Sequence, residues 1–235
     1  MAEHFSIQNA LSADGLLATL AATDLHVPGR TTGRTTQQTE RWTVCRLLAT
    51  LTSIDRLRFP LSVSHEDKPD FRLEFDGRSV GIEVTEAIST DYSKCLALAE
   101  REKPGALIDM SLFRWGGEPK TTADLREIIQ ATELQGGGWD GESAEVEWAH
   151  YIESIVSVKS RKAAAYTHHD CRWLAIYDNL PLPHVHLARG AEKLRPLLAP
   201  WDDHVEFHAV FIEHGPVILE LTPRSVSVHN LNDLW

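Results

Sequence analysis

The sequence predicts a mixed α/β domain, and three features lead to that class. A hairpin signal, Asp76-Gly77, stands between two stretches in which apolar residues alternate with others. Two longer stretches, 36–53 and 144–166, repeat apolar residues every three to four positions, as helices do. Strand-like and helix-like segments follow one another in the order β-β-α-β-α-β, which indicates helices packed on a mixed sheet.

The predicted elements run along the chain as follows. The N-terminal part, 1–35, is interpreted as one helix over roughly 9–23 and a mobile loop rich in Gly, Thr and Arg. The remainder, 36–235, is interpreted as a single core domain with an insertion at about 103–144. Within the core we predict helices over 36–53, 90–102, 121–133, 144–166 and 186–198, a hairpin over 70–85, and strands over 172–177, 206–213 and 217–222.

Composition limits the classes of function. Of the 235 residues, 43% are hydrophobic and 24% charged, which is ordinary for a globular protein. No apolar run approaches the roughly 20 residues of a membrane helix, and the N-terminus does not resemble a signal peptide. We therefore expect a cytoplasmic protein without a membrane partner, and its three cysteines, which lack CxxC spacing, fit free thiols. The net charge of −11 disfavours non-specific coating of nucleic acid but leaves a nuclease with a local basic groove open.

The two-residue turn fixes which residues of the hairpin face each other. Counting outward from the turn places Asp70 directly opposite Glu83. Two carboxylates so placed have Cβ atoms about 5 Å apart, which is unfavourable unless a cation or a raised pKa intervenes. Mg²⁺ would supply that cation, and Gly81 leaves room for a ligand or a close backbone approach. Exposure of both carboxylates on a solvated face is the alternative that spacing alone leaves open. The apolar face is predicted to hold Phe71, Leu73, Phe75, Val80, Ile82 and Val84.

The sequence pattern around these acids resembles that of a known family. Pro69-Asp70 is followed, with 12 residues between the acids, by Glu83-Val84-Thr85. This pattern resembles the PD-(D/E)XK nuclease superfamily. The resemblance implies a restriction endonuclease-like mixed β-sheet flanked by helices, with an inserted lobe. It also implies Mg²⁺ or Mn²⁺ bound by Asp70, Glu83 and the backbone carbonyl of Val84, and a nucleic acid substrate, DNA more than RNA.

The family's lysine is missing from its usual place, because Thr85 stands two residues after the acid. The resemblance allows a lysine that has migrated to a neighbouring helix. On the predicted helix 144–166, Lys159 lies on the apolar stripe and Lys162 close to it. Lys159 is the first choice and Lys162 the second, while a lysine that extends to solvent is the alternative. Thr85 is expected to hold a water or a phosphate oxygen of the substrate.

A third acid is expected on the first core helix, as in many members of the family. Glu40 precedes Val44, Leu47 and Leu51 on the buried stripe of the predicted helix 36–53. It is therefore the candidate. The alternative is a purely favourable placement of negative charge near a helix N-terminus, worth roughly 0.3–1 kcal/mol.

The expected function is divalent-metal-dependent hydrolysis of phosphodiester bonds in nucleic acid. A catalytically inactive binding or assembly module with the nuclease fold is the alternative. It is favoured by Thr85 in place of the motif lysine and by the negative net charge of the chain. A metal hydrolase built on histidines is a third hypothesis, but the run His168-His169-Asp170-Cys171 lacks zinc-ligand spacing and is better read as a turn between helix and strand. A homodimer remains open.

Overall fold

The computed structural model describes residues 5–232 and 234–235, which form one eight-stranded sheet and seven α-helices. None of the helices in these ranges is both long enough and apolar enough to span a bilayer. The strands are β1 (Ser6–Ala10), β2 (Leu61–His65), β3 (Phe71–Phe75), β4 (Arg78–Ala87), β5 (Cys171–Asp178), β6 (Ala209–His214), β7 (Val217–Leu221) and β8 (Val226–Asn230). The helices are α1 (Ala13–Ala21), α2 (Thr36–Ser53), α3 (Thr90–Glu102), α4 (Thr122–Gln130), α5 (Ser143–Ala163), α6 (Leu187–Leu197) and α7 (Trp201–His204), with a 3-10 helix at Met110–Phe113.

The strands lie in the sheet in the same order as in the chain. β4, β5 and β6 are parallel neighbours, and every other neighbouring pair is antiparallel. The connection from β4 to β5 carries α3, α4 and α5, since a parallel neighbour requires a crossover. The predicted mixed α/β class is thus confirmed.

Helices cover both faces of the sheet. Leu16 and Leu20 of α1 and the buried side chains of α2 pack on one face, against the apolar face of the β3–β4 hairpin. Helices α5 and α6 pack on the other face, against alternate residues of β5, β6 and β7. A smaller cluster joins α3, α4 and the 3-10 helix outside the sheet. The segment between α3 and α5 therefore has a small apolar core of its own.

Local sequence explains the two elements that carry the site. Asp76 and Gly77 have φ values of 50° and 69°, as a type I′ turn requires, and this turn joins β3 to β4. Helix α2 begins with a capping box, in which Thr35 and Gln38 each bond the other's backbone N–H. From Thr43 to Thr52 every residue of α2 is buried, because the helix is covered by α1 as well as by the sheet.

Helices α2 and α3 have the predicted bounds, but the structure differs from prediction in three strands. The helix predicted over 9–23 is shorter in the structure, where α1 begins after the N-cap Ser12 and ends at Ala21. The start of the predicted range belongs instead to the strand β1. β2 and β8 were not predicted. Each has only five residues, too few to show a clear periodicity, and is identified only by its pairing with a neighbour.

Candidate active site at the end of the hairpin

The predicted register of the hairpin is confirmed. Phe71 pairs with Ile82, Leu73 with Val80 and Phe75 with Arg78. Asp70 stands immediately before β3, and its Oδ2 accepts the N–H of Val84 at 2.7 Å. Asp70 therefore lies beside the backbone of the residue after Glu83, at the end where β4 extends past β3.

Glu83 is buried, with 5% of its surface exposed, and it faces α5. Lys159 of α5 donates from Nζ to Glu83 Oε1 at 2.7 Å and to the carbonyl oxygen of Val84 at 3.3 Å. The Lys159 side chain is only 20% exposed, so it turns inward to the hairpin instead of extending to solvent. Lys162 is exposed and forms no ion pair within the described residues. The structure thus brings Asp70, Glu83, Val84 and Lys159 together, and it leaves Lys162 outside.

Tyr166 is a second donor to Glu83 that sequence reasoning did not single out. Its hydroxyl donates to Glu83 Oε1 at 3.3 Å. Burial, with the Glu83 carboxylate second, raises the pKa of Tyr166 to about 12, so this hydroxyl remains a neutral donor. The sequence did offer a signal for Tyr166, because it lies on the same apolar stripe of the predicted helix 144–166 as Lys159.

Asp70 has an unusual environment for a carboxyl group. Burial and the negative charges of Glu83 and Glu40 raise its pKa to about 7, although the N–H of Val84 and the charge of Lys159 act in the opposite direction. The largest cause is the loss of hydration, which disfavours the charged form. Three acids meet here, and Lys159 is the one cation among the groups that shift the pKa of Asp70.

Glu40 reaches this region from the first half of α2. Its Oε2 lies 3.1 Å from Nε2 of His65, at the end of β2, and both side chains are less than 15% exposed. His65 pairs with Phe71 in the sheet, next to Asp70. The contribution of His65 was missed because β2 was not predicted.

Gly81 was expected to leave room for a ligand or a close backbone approach, and in the structure side chains of the protein fill this space. A Cβ atom there would lie 2.7 Å from Cγ of Pro69 and 2.8 Å from Cδ2 of His169. Residues 164–170 connect α5 to β5, as predicted for a turn, and Asp170 accepts the N–H of Ser79 at 2.8 Å. Both ring nitrogens of the buried His169 lack a hydrogen-bond partner within the described residues. Gly81 thus permits close packing of this turn on the hairpin.

A cleft with a volume of about 910 Å³ opens next to the carboxylates. Val84, Thr85 and Lys159 line it on the sheet and α5 side, and Glu40 lines it from α2. Tyr177 and Asn179, at the end of β5, form part of its floor. The site therefore lies at the carboxyl ends of the parallel strands β4 and β5, where α/β sheets commonly bind ligands.

The groups around Asp70 offer oxygen atoms, the donor type that hard divalent cations use. No group of three or more His, Cys, Asp and Glu side chains within reach of one ion is found in the described ranges. Two carboxylates and the carbonyl of Val84 are oxygen donors, and Mg²⁺ uses one or two carboxylates together with waters. The meeting of three acids with one cation around Asp70 is the observation that fits such an ion. Neither a family model, nor a curated protein, nor a solved structure matches this chain.

Proposed function

We propose that this protein is a divalent-metal-dependent nuclease that hydrolyses phosphodiester bonds of nucleic acid. The observation that carries the proposal is Lys159, which reaches from α5 to Glu83 and to the Val84 carbonyl. A lysine is needed there because Thr85 occupies the position of the motif lysine. Lys162, the other candidate on α5, is exposed, so Lys159 is the lysine of this pair that reaches Glu83.

Asp70, Glu83 and the carbonyl of Val84 would hold Mg²⁺ or Mn²⁺. When bound, the cation would lower the pKa of a coordinated water and neutralise charge on the phosphoryl group. A buried carboxylate (Glu83), a half-buried one (Asp70) and a main-chain oxygen fit this ion better than zinc, for which Cys and His are the usual ligands.

The chain's own residues supply the remaining groups for hydrolysis. The oxygen of a water forms a bond to phosphorus while the bond to the leaving sugar oxygen breaks. Lys159 would hold the attacking water and offset the developing negative charge. Tyr166 orients Glu83 through its hydrogen bond. Thr85, in the lining of the cleft, offers a hydroxyl to a phosphate oxygen or a water.

The restriction endonuclease-like type of fold is part of the proposal. It is supported by the acid pair on the antiparallel strands β3 and β4, the helix α2 that carries Glu40, and the parallel strand β5 next to β4. Glu40, held by His65, would assist as the acid on the first core helix, through its effect on Asp70.

A direct test is cleavage of single-stranded DNA, duplex DNA and RNA in Mg²⁺ or Mn²⁺, with the Glu83→Ala and Lys159→Ala variants in parallel. We expect cleavage by the wild type and its loss in both variants. Cleavage that persists in Glu83→Ala would disprove the site assignment.

A binding or assembly module of the same fold is the second candidate. The observation in its favour is that Lys159 is already held in an ion pair with Glu83. A wild-type protein that neither cleaves nucleic acid nor binds Mg²⁺ or Mn²⁺ by calorimetry would support this candidate over the nuclease.

A further inference from the structure

The cleft beside the carboxylates has a second cluster of charges that the proposed chemistry does not use. Arg30 donates to Glu86 Oε1 at 2.5 Å and to the hydroxyl of Ser93 at 3.1 Å. Arg34 lies 3.4 Å from the other oxygen of the same carboxylate, Oε2. Asn179 donates to Glu86 Oε1, the oxygen that Arg30 contacts, at 2.8 Å. Two guanidinium groups thus share a single carboxylate, and both line the cleft.

The cleft is much less negative than the whole chain. Counting Lys, Arg, Asp and Glu, its lining has three basic side chains, Arg30, Arg34 and Lys159, and two acidic ones, Glu40 and Glu86. Glu83, which is outside the lining, pairs with Lys159, so the charges balance here, whereas the chain carries −11. Guanidinium groups suit phosphate because their planar donors bind two oxygens at once. The hydroxyl groups of Thr36 and Thr85 add further donors to the same lining, whereas those of Thr35, Thr39 and Thr43 already donate within the protein.

The dimensions of the cleft limit the substrate. A volume of about 910 Å³ lies within the range of roughly 300–1,000 Å³ that is typical of pockets for small ligands. The segment from Leu25 to Thr36 forms one wall, and Arg30 ties it to β4 and α3, with a further bond from the N–H of Thr31 to Glu100 at 3.1 Å. A cleft of this volume has room for a few nucleotides of one strand.

We propose that this cleft binds a single strand of nucleic acid, with Arg30 and Arg34 on its phosphates, and presents it to the Asp70–Glu83 site. The inference rests on the proposed function for the identity of the ligand. Lys159 and Val84 belong to both the cleft lining and the site, so a strand that lies along the cleft passes the ammonium group that contacts Glu83. Trp42 and Tyr177 in the lining provide aromatic surfaces, as in other grooves for single strands. Glu86 competes with phosphate for both arginines.

The test is binding of fluorescein-labelled oligonucleotides in EDTA, followed by fluorescence anisotropy. The ligands are single-stranded DNA and RNA of the same six-nucleotide sequence, a blunt duplex, and a mononucleotide. We expect both single strands to bind more tightly than the duplex and the mononucleotide. Arg30→Gln and Arg34→Gln should each weaken binding roughly fivefold or more, and each should reduce the salt slope by about 0.7.

Two further variants make the result specific. Arg189→Gln, on the outer surface of α6, makes the same change of charge at an exposed residue outside the cleft and should bind like the wild type. Glu86→Gln should tighten binding, because it releases two guanidinium groups, whereas mere damage to the fold would weaken it. The inference is overturned if the duplex binds as tightly as the single strands, or if the Arg30 and Arg34 variants behave like Arg189→Gln.

The same protein preparations separate this inference from the proposed function. Metal binding by calorimetry reports on the Asp70–Glu83 site without the cleft, whereas cleavage in Mg²⁺ reports on both. Binding of single strands without metal binding or cleavage would uphold the cleft and disprove the nuclease. Cleavage of duplex as fast as of single strands would uphold the nuclease and disprove the single-strand cleft.

Discussion

Lys159 Nζ lies 2.7 Å from Glu83 Oε1, across the boundary between helix α5 and strand β4. The two residues are far apart in the sequence, and the crossover through α3, α4 and α5 brings them together. Lys159 also contacts the Val84 carbonyl, so one ammonium group bridges two of the oxygens assigned to the metal. The contribution of α5 to the site can therefore be tested by replacing Lys159.

Replacing Lys159 should separate catalysis from metal binding. In Lys159→Met we expect cleavage to fall by about 10²–10⁴-fold, because a positioned acid or base contributes on that order. Metal affinity, measured by calorimetry, should not fall, since the ammonium no longer competes for Glu83. Lys162→Met is the matched control on the same helix, exposed and away from Glu83. Equal losses in the two variants would contradict the assignment of Lys159.

Asp70 should make the metal-free protein less stable as the pH rises. Its pKa is about 7 in the folded protein, against an ordinary value near 3.9, so the unfolded chain releases this proton first. The free energy of unfolding should therefore fall between about pH 4 and pH 7 and become constant above pH 7. Asp70→Asn retains an oxygen to accept the Val84 N–H and should lack this fall. Denaturant unfolding in EDTA from pH 4 to 8 measures it, and parallel profiles for the two proteins would contradict the prediction.

Replacing Glu40 should shift the pH dependence of the free energy of unfolding. Its negative charge raises the pKa of Asp70, so Glu40→Gln should move the midpoint of the stability profile to lower pH. His65, which lies against Glu40, is expected to keep a hydrogen bond to the Gln side chain. Glu153→Gln, on the α5 helix and bonded to Ser157, serves as a control because it does not act on Asp70. A midpoint that is equal in Glu40→Gln and the wild type would remove Glu40 from the site.

Tyr166 should act through Glu83. The Tyr166→Phe variant loses one hydrogen bond to a carboxylate, which is worth roughly 1.5 kcal/mol, or about tenfold in metal affinity if Glu83 is a ligand. Calorimetric titration with Mn²⁺ measures this loss. In the Glu83→Ala background the same substitution should have no effect on metal affinity, and an effect that persists there would show that Tyr166 acts by another route.

Local patterns predicted the hairpin and helices well, because turn chemistry and periodicity are properties of adjacent residues. The Asp76-Gly77 turn was sufficient to place Asp70 beside the Glu83-Val84 backbone. The stripe of α5 predicted that Lys159 turns inward, but it did not decide between Lys159 and Lys162. That choice depends on how α5 rotates against the sheet, which tertiary packing determines.

The parts that could not be predicted depend on contacts between distant segments. His65 contributes to the site only through the pairing of β2 with β3. Arg30 and Glu86 are 56 residues apart, and neither has a local pattern that indicates the other. Whether Gly81 serves a ligand or a close approach could not be decided for the same reason, since the residues that fill the space, Pro69 and His169, include one from the distant α5–β5 connection.

Gly81 should tolerate no side chain, because the turn after α5 packs directly on it. A Cβ at Gly81 would approach Pro69 and His169 within 2.8 Å, and Pro69 precedes Asp70 in the chain. We expect Gly81→Ala to lower the free energy of unfolding by about 1–3 kcal/mol, as overpacking does, and to reduce cleavage by displacing Asp70. Gly137→Ala is the matched control, since nothing lies within 4 Å of its added Cβ. Denaturant unfolding of the two variants measures the difference, and a Gly81→Ala protein as stable as Gly137→Ala would show that the connection moves aside without cost.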